Sequence, residues 1–286
     1  MEIVSTNLLT ETQFADIEAL QKMCNDADGL KSDAFLSNEI NFNKELPCFF
    51  LGYEENELIA FLTTFMPHSN EAEMIAFTKP THRRQGCFTA LLQVAMDMLK
   101  RAGIPKLFFV VEPDSKSGAQ VLGKYPAATW ERSEYRLIHF GKSELPLSPD
   151  LQLQLVSCEN KEVCLKLCGE IFVIPKVEND RFIQNAIDMD NRSIYMVFLG
   201  QEPIGTFNLN VERDDTYIYG LGVSPDYRGK GFGKQLLGLA LNVALSKSEK
   251  AILDVDTNNP HAYQLYIHNG FVVDFQTDYY ALAVES

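Results

Sequence analysis

Positive charge is scarce in this 286-residue chain: 25 Lys and Arg stand against 39 Asp and Glu, a formal net charge of −14. So acidic a surface repels phosphate backbones and anionic lipid, so no nucleic acid and no membrane partner is expected, whereas a cationic amine would be drawn to it. Long apolar runs are missing as well. No stretch approaches the ~20 apolar residues of a membrane-spanning helix. The start, Met1-Glu2-Ile3-Val4-Ser5-Thr6-Asn7, lacks a basic region followed by an apolar one, which leads to an expected cytoplasmic location. The six cysteines, at 24, 48, 87, 158, 164 and 168, include no Cys-x-x-Cys pair, and the five histidines are scattered. Reduced core thiols are expected, with no disulfide framework and no metal site. What is present is ordinary globular composition, 46% hydrophobic and 22% charged, in a length sufficient for two cores of typical domain size.

Residues 223–233, Val-Ser-Pro-Asp-Tyr-Arg-Gly-Lys-Gly-Phe-Gly, carry the most information. An apolar strand ends, Pro225 breaks it, and a glycine-rich basic loop opens a helix. The first N–H groups of a helix have no internal partner and lie at the positive end of its dipole, so they attract anions. Gly229, Gly231 and Gly233 let the backbone approach a ligand closely. Arg228, Lys230 and Lys234 add side-chain charge, and Phe232 lies between the last two glycines. The P-loop does not fit, because three residues rather than four separate Gly229 from Gly233 and Gln235 follows Lys234. The dinucleotide fingerprint does not fit either, since Leu236 stands where its third glycine belongs. Arg-x-x-Gly-x-Gly remains, as Arg228, Gly231 and Gly233. A plain helix cap is the bland reading of such a loop.

A second motif follows. Residues 251–257 read as a strand, and 258–271 as a turn, a short helix and a glycine stop, with Asn259, Ala262, Tyr266, Gly270 and Phe271 at characteristic intervals. The two motifs in this order resemble the GCN5-related N-acetyltransferases, the GNAT superfamily. The resemblance implies a mixed α/β (α+β) fold with a splayed, largely antiparallel sheet, and acetyl-CoA as acyl donor without a metal.

The loop occurs twice. Residues 78–88, Thr-Lys-Pro-Thr-His-Arg-Arg-Gln-Gly-Cys-Phe, place Pro80, Arg83 and Gly86 under Pro225, Arg228 and Gly231, an offset of 145 (225 − 80). After each copy comes an amphipathic helical stripe, Phe88, Leu91, Leu92, Ala95, Met96 and Leu99 in one and Leu236, Leu237, Ala240, Leu241, Ala244 and Leu245 in the other, and then an apolar strand. The chain therefore reads as two tandem acyl-CoA N-acyltransferase domains: a degenerate N-terminal one at 1–143 and a catalytic one at 150–286, joined by the polar, proline-bearing stretch 141–149. Strands are expected near 151–156, 193–199, 203–211 and 216–223, with helices near 159–173 and 178–188. The strand Tyr279–Val284 could finish a sheet or pair with a second chain, so monomer and homodimer both stand.

Aminolysis of a thioester needs a deprotonated amine, a stabilised carbonyl oxygen and a proton for the leaving sulfur. Tyrosine, with a pKa of about 10 against about 8.5 for a thiol, is protonated at neutral pH and can supply that proton. The resemblance assigns this acid role to Tyr266, against a bland role in helix packing. It assigns the donor's pantetheine arm to the backbone of Leu221, Gly222 and Val223, with Gly222 suited to a bulge, and to Asn259, where helix capping serves equally well. No base is named, because Tyr219 stands where family members often carry Glu. In the first copy Ser115 replaces Asn259, Leu122 falls at the Tyr266 position, and Phe88 replaces the third loop glycine. Arg83, Arg84, Gln85 and Gly86 could still cradle a diphosphate; a degenerate packing domain is the competing reading. The expected activity is acetyl transfer to a primary amine of a small molecule or peptide. A non-catalytic acyl-CoA sensor, or transfer to a protein N-terminus or lysine, are the rivals.

Overall fold

Apolar runs broken by short polar turns give the antiparallel strands of both halves. The computed structural model describes residues 1–141, 145, 147–212 and 214–285; residues 142–144 and 146 of the expected linker lie outside them. By contact the chain divides into two units, Met1–Glu134 with Phe275–Ser286, and Tyr135–Asp274.

The first unit holds β1 (Glu2–Thr6), α1 (Glu11–Asp28), β2 (Phe49–Glu54), β3 (Glu57–Phe65), β4 (Ala72–Thr78), α2 (Cys87–Ala102), β5 (Lys106–Val111), α3 (Lys116–Leu122) and the beginning of β6 (Thr129–Phe140). Strands β1 to β4 are antiparallel in sequence order, and β4 runs parallel to β5. Between β2 and β3 the turn is a tight hairpin, with Glu55 at φ 48° and Asn56 at φ 68°, the paired left-handed conformation that matches strand twist. A capping box of Thr10 and Gln13 starts α1. The α2 stripe is buried at Leu91, Leu92, Ala95 and Leu99, in a core that includes Phe49, Phe50, Phe61 and Phe109. One polar cluster interrupts the apolar packing: Arg132 Nη2 donates to Glu73 Oε1 at 2.7 Å, its Nε to Glu134 Oε1 at 3.3 Å, and the Tyr279 hydroxyl to Glu134 Oε2 at 2.8 Å. Burial pushes the Glu73 carboxyl up to about 7, against the opposing pull of Arg132.

The second unit holds the end of β6, then β7 (Leu151–Leu155), α4 (Lys161–Ile171), α5 (Lys176–Asp188), β8 (Arg192–Leu199), β9 (Glu202–Glu212), β10 (Asp215–Val223), α6 (Phe232–Ala244), β11 (Lys250–Asp256), α7 (Pro260–Ile267) and the start of β12 (Val272–Ala283). Strands β7 to β10 are antiparallel neighbours, β10 is parallel to β11, and β6 lies beside β11. One face of this sheet packs Val197, Ile204, Phe207, Leu209 and Ile218 against Leu236, Leu237, Ala240 and Leu241 of α6. On the other face Ile194 and Met196 meet Cys164, Leu165, Cys168, Ile183 and Ala186 of α4 and α5.

The division by contact falls elsewhere than the sequence boundary at 141–149. The end of β12 belongs to the first unit and pairs antiparallel with β5, from Asp278 opposite Val111 to Ala283 opposite Lys106. The C-terminal strand thus finishes a sheet, and each unit is completed by a segment from the other half of the sequence. All six cysteines are free, and only Cys158 is exposed. Among the described residues no helix is long and apolar enough to cross a membrane, and no group of His, Cys, Asp and Glu could hold a metal.

Candidate active site

The loop between β10 and α6 is held by its own arginine. Pro225–Tyr227 form a short 3-10 turn, after which Arg228 Nε donates to the Val223 carbonyl at 3.0 Å and Nη2 to the Ile171 carbonyl at 3.3 Å. Lys230 Nζ bonds the Asp226 carbonyl at 2.8 Å and lies over the Tyr227 ring. Both partners of Arg228 are neutral, so its charge stays uncompensated beside the loop. Gly229 and Gly231 adopt φ 73° and 85°, conformations that glycine reaches without strain, and no other atom lies within 4 Å of where their Cβ atoms would be. Gly231 is the N-cap of α6 and offers no side-chain cap. The plain-cap reading therefore loses its usual agent, and the leading amides of the helix at Phe232, Gly233 and Lys234 are left for an external acceptor. This cradle fits a diphosphate.

Strand β10 bulges immediately before the loop. Tyr219 pairs with Asn208 and Gly222 with Thr206, so Gly220 and Leu221 form the irregularity, with Gly220 at φ 56°. The bulge therefore sits one step before the expected Gly222, because the left-handed turn is made by Gly220; Gly222 rejoins the ladder. Gly222 needs its missing side chain for another reason: a Cβ there would collide with Ile171 and Phe172 at the end of α4. The bulge frees backbone groups from the ladder, and α4 is tied close by through the Arg228 bond to Ile171.

Tyr266 lies on α7, buried, with its ring 5.7 Å from Phe271. Among the described residues nothing hydrogen-bonds its hydroxyl, and burial pushes its pKa above the usual tyrosine value. Helix α7 reaches the loop, where Leu265 Cδ2 lies 3.7 Å from a Cβ position built on Gly233. Asn259 is the N-cap of α7, its Oδ1 accepting from the Ala262 N–H at 3.1 Å. The structure thus brings together Leu221–Val223, Arg228–Lys234 and the α7 residues in one unit.

Four acids near this region in sequence are committed elsewhere. Asp254 pairs with Arg136, Asp215 with Lys250, Asp256 Oδ1 accepts from the Asn258 N–H, and Glu212 accepts from Asn210. Where a carboxylate base is common, the Tyr219 hydroxyl accepts from Arg192 Nη1 at 3.3 Å, and burial raises its pKa. Sequence reasoning passed over Arg192, Asn208 and Asn210, which line the α4–α5 face of the sheet and are 8%, 6% and 6% exposed. Alternation of Thr206, Asn208 and Asn210 with Phe207 and Leu209 resembles a solvent face; both faces of β9 are in fact buried.

The first unit repeats the loop backbone. Arg83 and Gly86 adopt φ/ψ of −66°/152° and 89°/−1°, against −66°/154° and 85°/−3° for Arg228 and Gly231. Ser115 caps α3 as Asn259 caps α7. The chemistry differs: Arg83 Nε donates to the Thr78 carbonyl, but Nη1 and Nη2 grip Asp28 at 2.7 and 2.9 Å. Arg84, at φ 62°, stands where the second loop has a glycine, and Gln85 bonds back to the Thr81 carbonyl.

A search of curated proteins finds no match to this sequence. Among solved structures, a GCN5-related N-acetyltransferase from Sphaerobacter thermophilus aligns over 99% of this chain and 96% of its own, with a TM-score of 0.79 at 16% identity. A tandem GNAT protein from the clavulanic acid biosynthesis pathway aligns over 100% and 99%, at 0.71 and 13%, and a GNAT-family acetyltransferase from Colwellia psychrerythraea over 99% and 100%, at 0.65 and 14%. The family model described as the acetyltransferase (GNAT) family matches residues 14–122 and again 165–271. The chain is a member of the GNAT acetyltransferase family, with two copies of its domain.

Proposed function

We propose that the second unit transfers an acetyl group from acetyl-CoA to a primary amine of a small molecule or peptide, by direct attack, and that Tyr266 is its general acid. Support for placing the site there comes from one contrast. Arg228 is bonded to carbonyls and keeps its charge for a diphosphate, whereas Arg83 is neutralised by Asp28. Bound acetyl-CoA supplies the activated thioester carbonyl. The amides of Gly229 and Gly231–Lys234 would hold its diphosphate, with Arg228, Lys230 and Lys234 adding charge. The unpaired edge of β10 at Leu221–Val223 would hold its amide-bearing arm. Asn259 orients α7 through its cap, and Tyr266, unbonded and protonated, can donate to the departing sulfur. The first unit shapes the molecule without turnover of its own, and Arg83, Arg84, Gln85 and Gly86 form the weaker second cradle.

The test uses the full chain, since each unit needs a segment of the other half. Acetyl-CoA is mixed with a panel of primary amines and thiol release is followed; steady release is expected. Tyr266→Phe should lower kcat severalfold with unchanged coenzyme A affinity. Tight coenzyme binding without release across the panel would replace this reading with that of a sensor, and unchanged turnover in Tyr266→Phe would remove the acid assignment.

A further inference from the structure

Three arginines of this protein engage their partners through the Nε/Nη2 edge of the guanidinium, while Arg83 grips Asp28 through Nη1 and Nη2. Arg132 gives Nε and Nη2 to Glu134 and Glu73, Arg136 gives the same pair of atoms to Asp254 at 2.9 and 2.9 Å, and Arg228 gives them to two carbonyls. Arg192 departs from this pattern. It is 8% exposed; among the described residues its only hydrogen-bond partner is the Tyr219 hydroxyl, met by Nη1, with the Tyr219 ring centroid 6.0 Å from the guanidinium carbon, and its buried Nε has no partner. Among the described residues no carboxylate forms an ion pair with it: Glu212 accepts from Asn210, and Asp190 lines a neighbouring cavity of about 200 Å³ with Arg192, Val156 and Ala186 without reaching ion-pair distance. A buried charge lacking an anionic partner is unfavourable, and such exceptions to consistent packing tend to sit where a ligand binds.

The surroundings favour a small polar ligand. Asn208 and Asn210 lie on the same buried face, beside Phe182 of α5 and Tyr219. Tyr219 immediately precedes the bulge at Gly220–Leu221, so the guanidinium stands one tyrosine side chain away from the strand segment assigned above to the acyl donor. The Nε/Nη2 edge of an arginine matches a carboxylate in a two-point grip. We propose that Arg192 is a specificity residue that binds the carboxylate of the acceptor, so that the acceptors of this enzyme are amines carrying a carboxylate. The proposal rests on the transferase reading of the second unit. In the reaction the amine nitrogen bonds the acetyl carbon, the C–S bond breaks, and the amine's proton ends on the departing sulfur. The products are an N-acetyl amino acid and a thiol, and the carboxylate held by Arg192 is unchanged.

The experiment compares glycine, β-alanine and γ-aminobutyrate with their carboxamides, on the full chain, by two readouts: thiol release from acetyl-CoA, and the thermal shift each compound gives alone. At least one acid should be favoured over its amide by about tenfold or more in kcat/KM, equivalent to ~1.4 kcal/mol, and should raise Tm where its amide does not. Arg192→Met should abolish the preference, bringing kcat/KM for the acid down to that of its amide in the same variant, and Arg192→Lys should restore part of it. Arg192→Met should fold as well as the parent or better, since it removes an unpaired buried charge; Arg192→Gln gives the same comparison with a polar side chain. A carboxylate-specific thermal shift lost in Arg192→Met, without thiol release, would uphold the site and overturn the transferase reading. Release with equal use of acids and amides, or equal loss of both in Arg192→Met, would overturn the assignment of Arg192 alone.

Discussion

Replacing Gly231 by Ala separates the two things its position does. The residue sits at φ 85° at the head of α6, and no atom lies within 4 Å of the added Cβ. The cost to folding is therefore conformational only, about 1–2 kcal/mol for a non-glycine residue in the left-handed region. For a domain of this size that lowers Tm by roughly 2–6 °C. Gly86→Ala, at φ 89° with equally open space, should lose the same amount. Binding should separate them. If a diphosphate lies against the Gly231 amide, the methyl group takes its space and turns aside charge-assisted hydrogen bonds worth ~1.5–3 kcal/mol each, so coenzyme A affinity should fall about ten- to a hundredfold. Gly86→Ala should leave it unchanged. Calorimetric titration of the full chain with coenzyme A, beside thermal unfolding of each variant, reads both quantities. Equal affinity in Gly231→Ala and the parent, with Tm lowered as expected, would refute the assignment of the diphosphate to this cradle; loss in Gly86→Ala instead would move the donor to the first unit.

Three other outcomes follow from the packing. The Glu73 carboxyl, three-quarters buried, is raised to about 7 from 4.5, chiefly by burial. The folded state thus binds its proton more tightly than the unfolded one, and the stability this contributes is complete below pH 4.5 and lost as pH rises to about 7. Denaturant titrations from pH 4.5 to 8 should show the parent losing about 2–3 kcal/mol more than Glu73→Gln across that interval; parallel curves would contradict it. Deleting 275–286 should unfold the first unit, because it strips the strand paired with β5 and the buried Tyr279; retained cooperative melting would contradict the unit boundaries. Arg228→Lys cannot reach the Val223 and Ile171 carbonyls together and should cost about 1 kcal/mol of stability, measured by urea unfolding, along with weaker coenzyme binding.

Much of this is legible in the sequence alone. Hairpin turns, amphipathic stripes and strand positions follow from periodicity: the expected strands near 193–199 and 216–223 are found at Arg192–Leu199 and Asp215–Val223. The glycine loops were legible because backbone conformation there is dictated by residue type, and the two copies agree in φ and ψ within a few degrees. Three features were not. The exchange of terminal strands depends on which edge β6 and β12 meet, a choice that local pattern does not encode. The difference between Arg83 and Arg228 depends on Asp28, 55 residues before Arg83 and unremarkable in sequence. The polar face of β9 reads as solvent-exposed because alternation reports that two faces differ, not whether water or a pair of helices covers the second.

That last ambiguity bears on how the second unit divides stability from chemistry. The α6 face of its sheet is mostly apolar and can carry the folding free energy, with buried Thr216 bonded by Ser248. The α4–α5 face is apolar only where Ile194 and Met196 meet the helices, and otherwise presents Arg192, Asn208, Asn210 and Tyr219. Each of those groups carries a desolvation cost that a hydrocarbon would not. Substituting Asn208 and Asn210 together by Leu is therefore expected to leave the protein as stable as before or more so, while any amine acetylation is lost. The two measurements must diverge: a double variant that is both unstable and inactive would mean that the amides serve the fold, and the case for a ligand on that face would go with it.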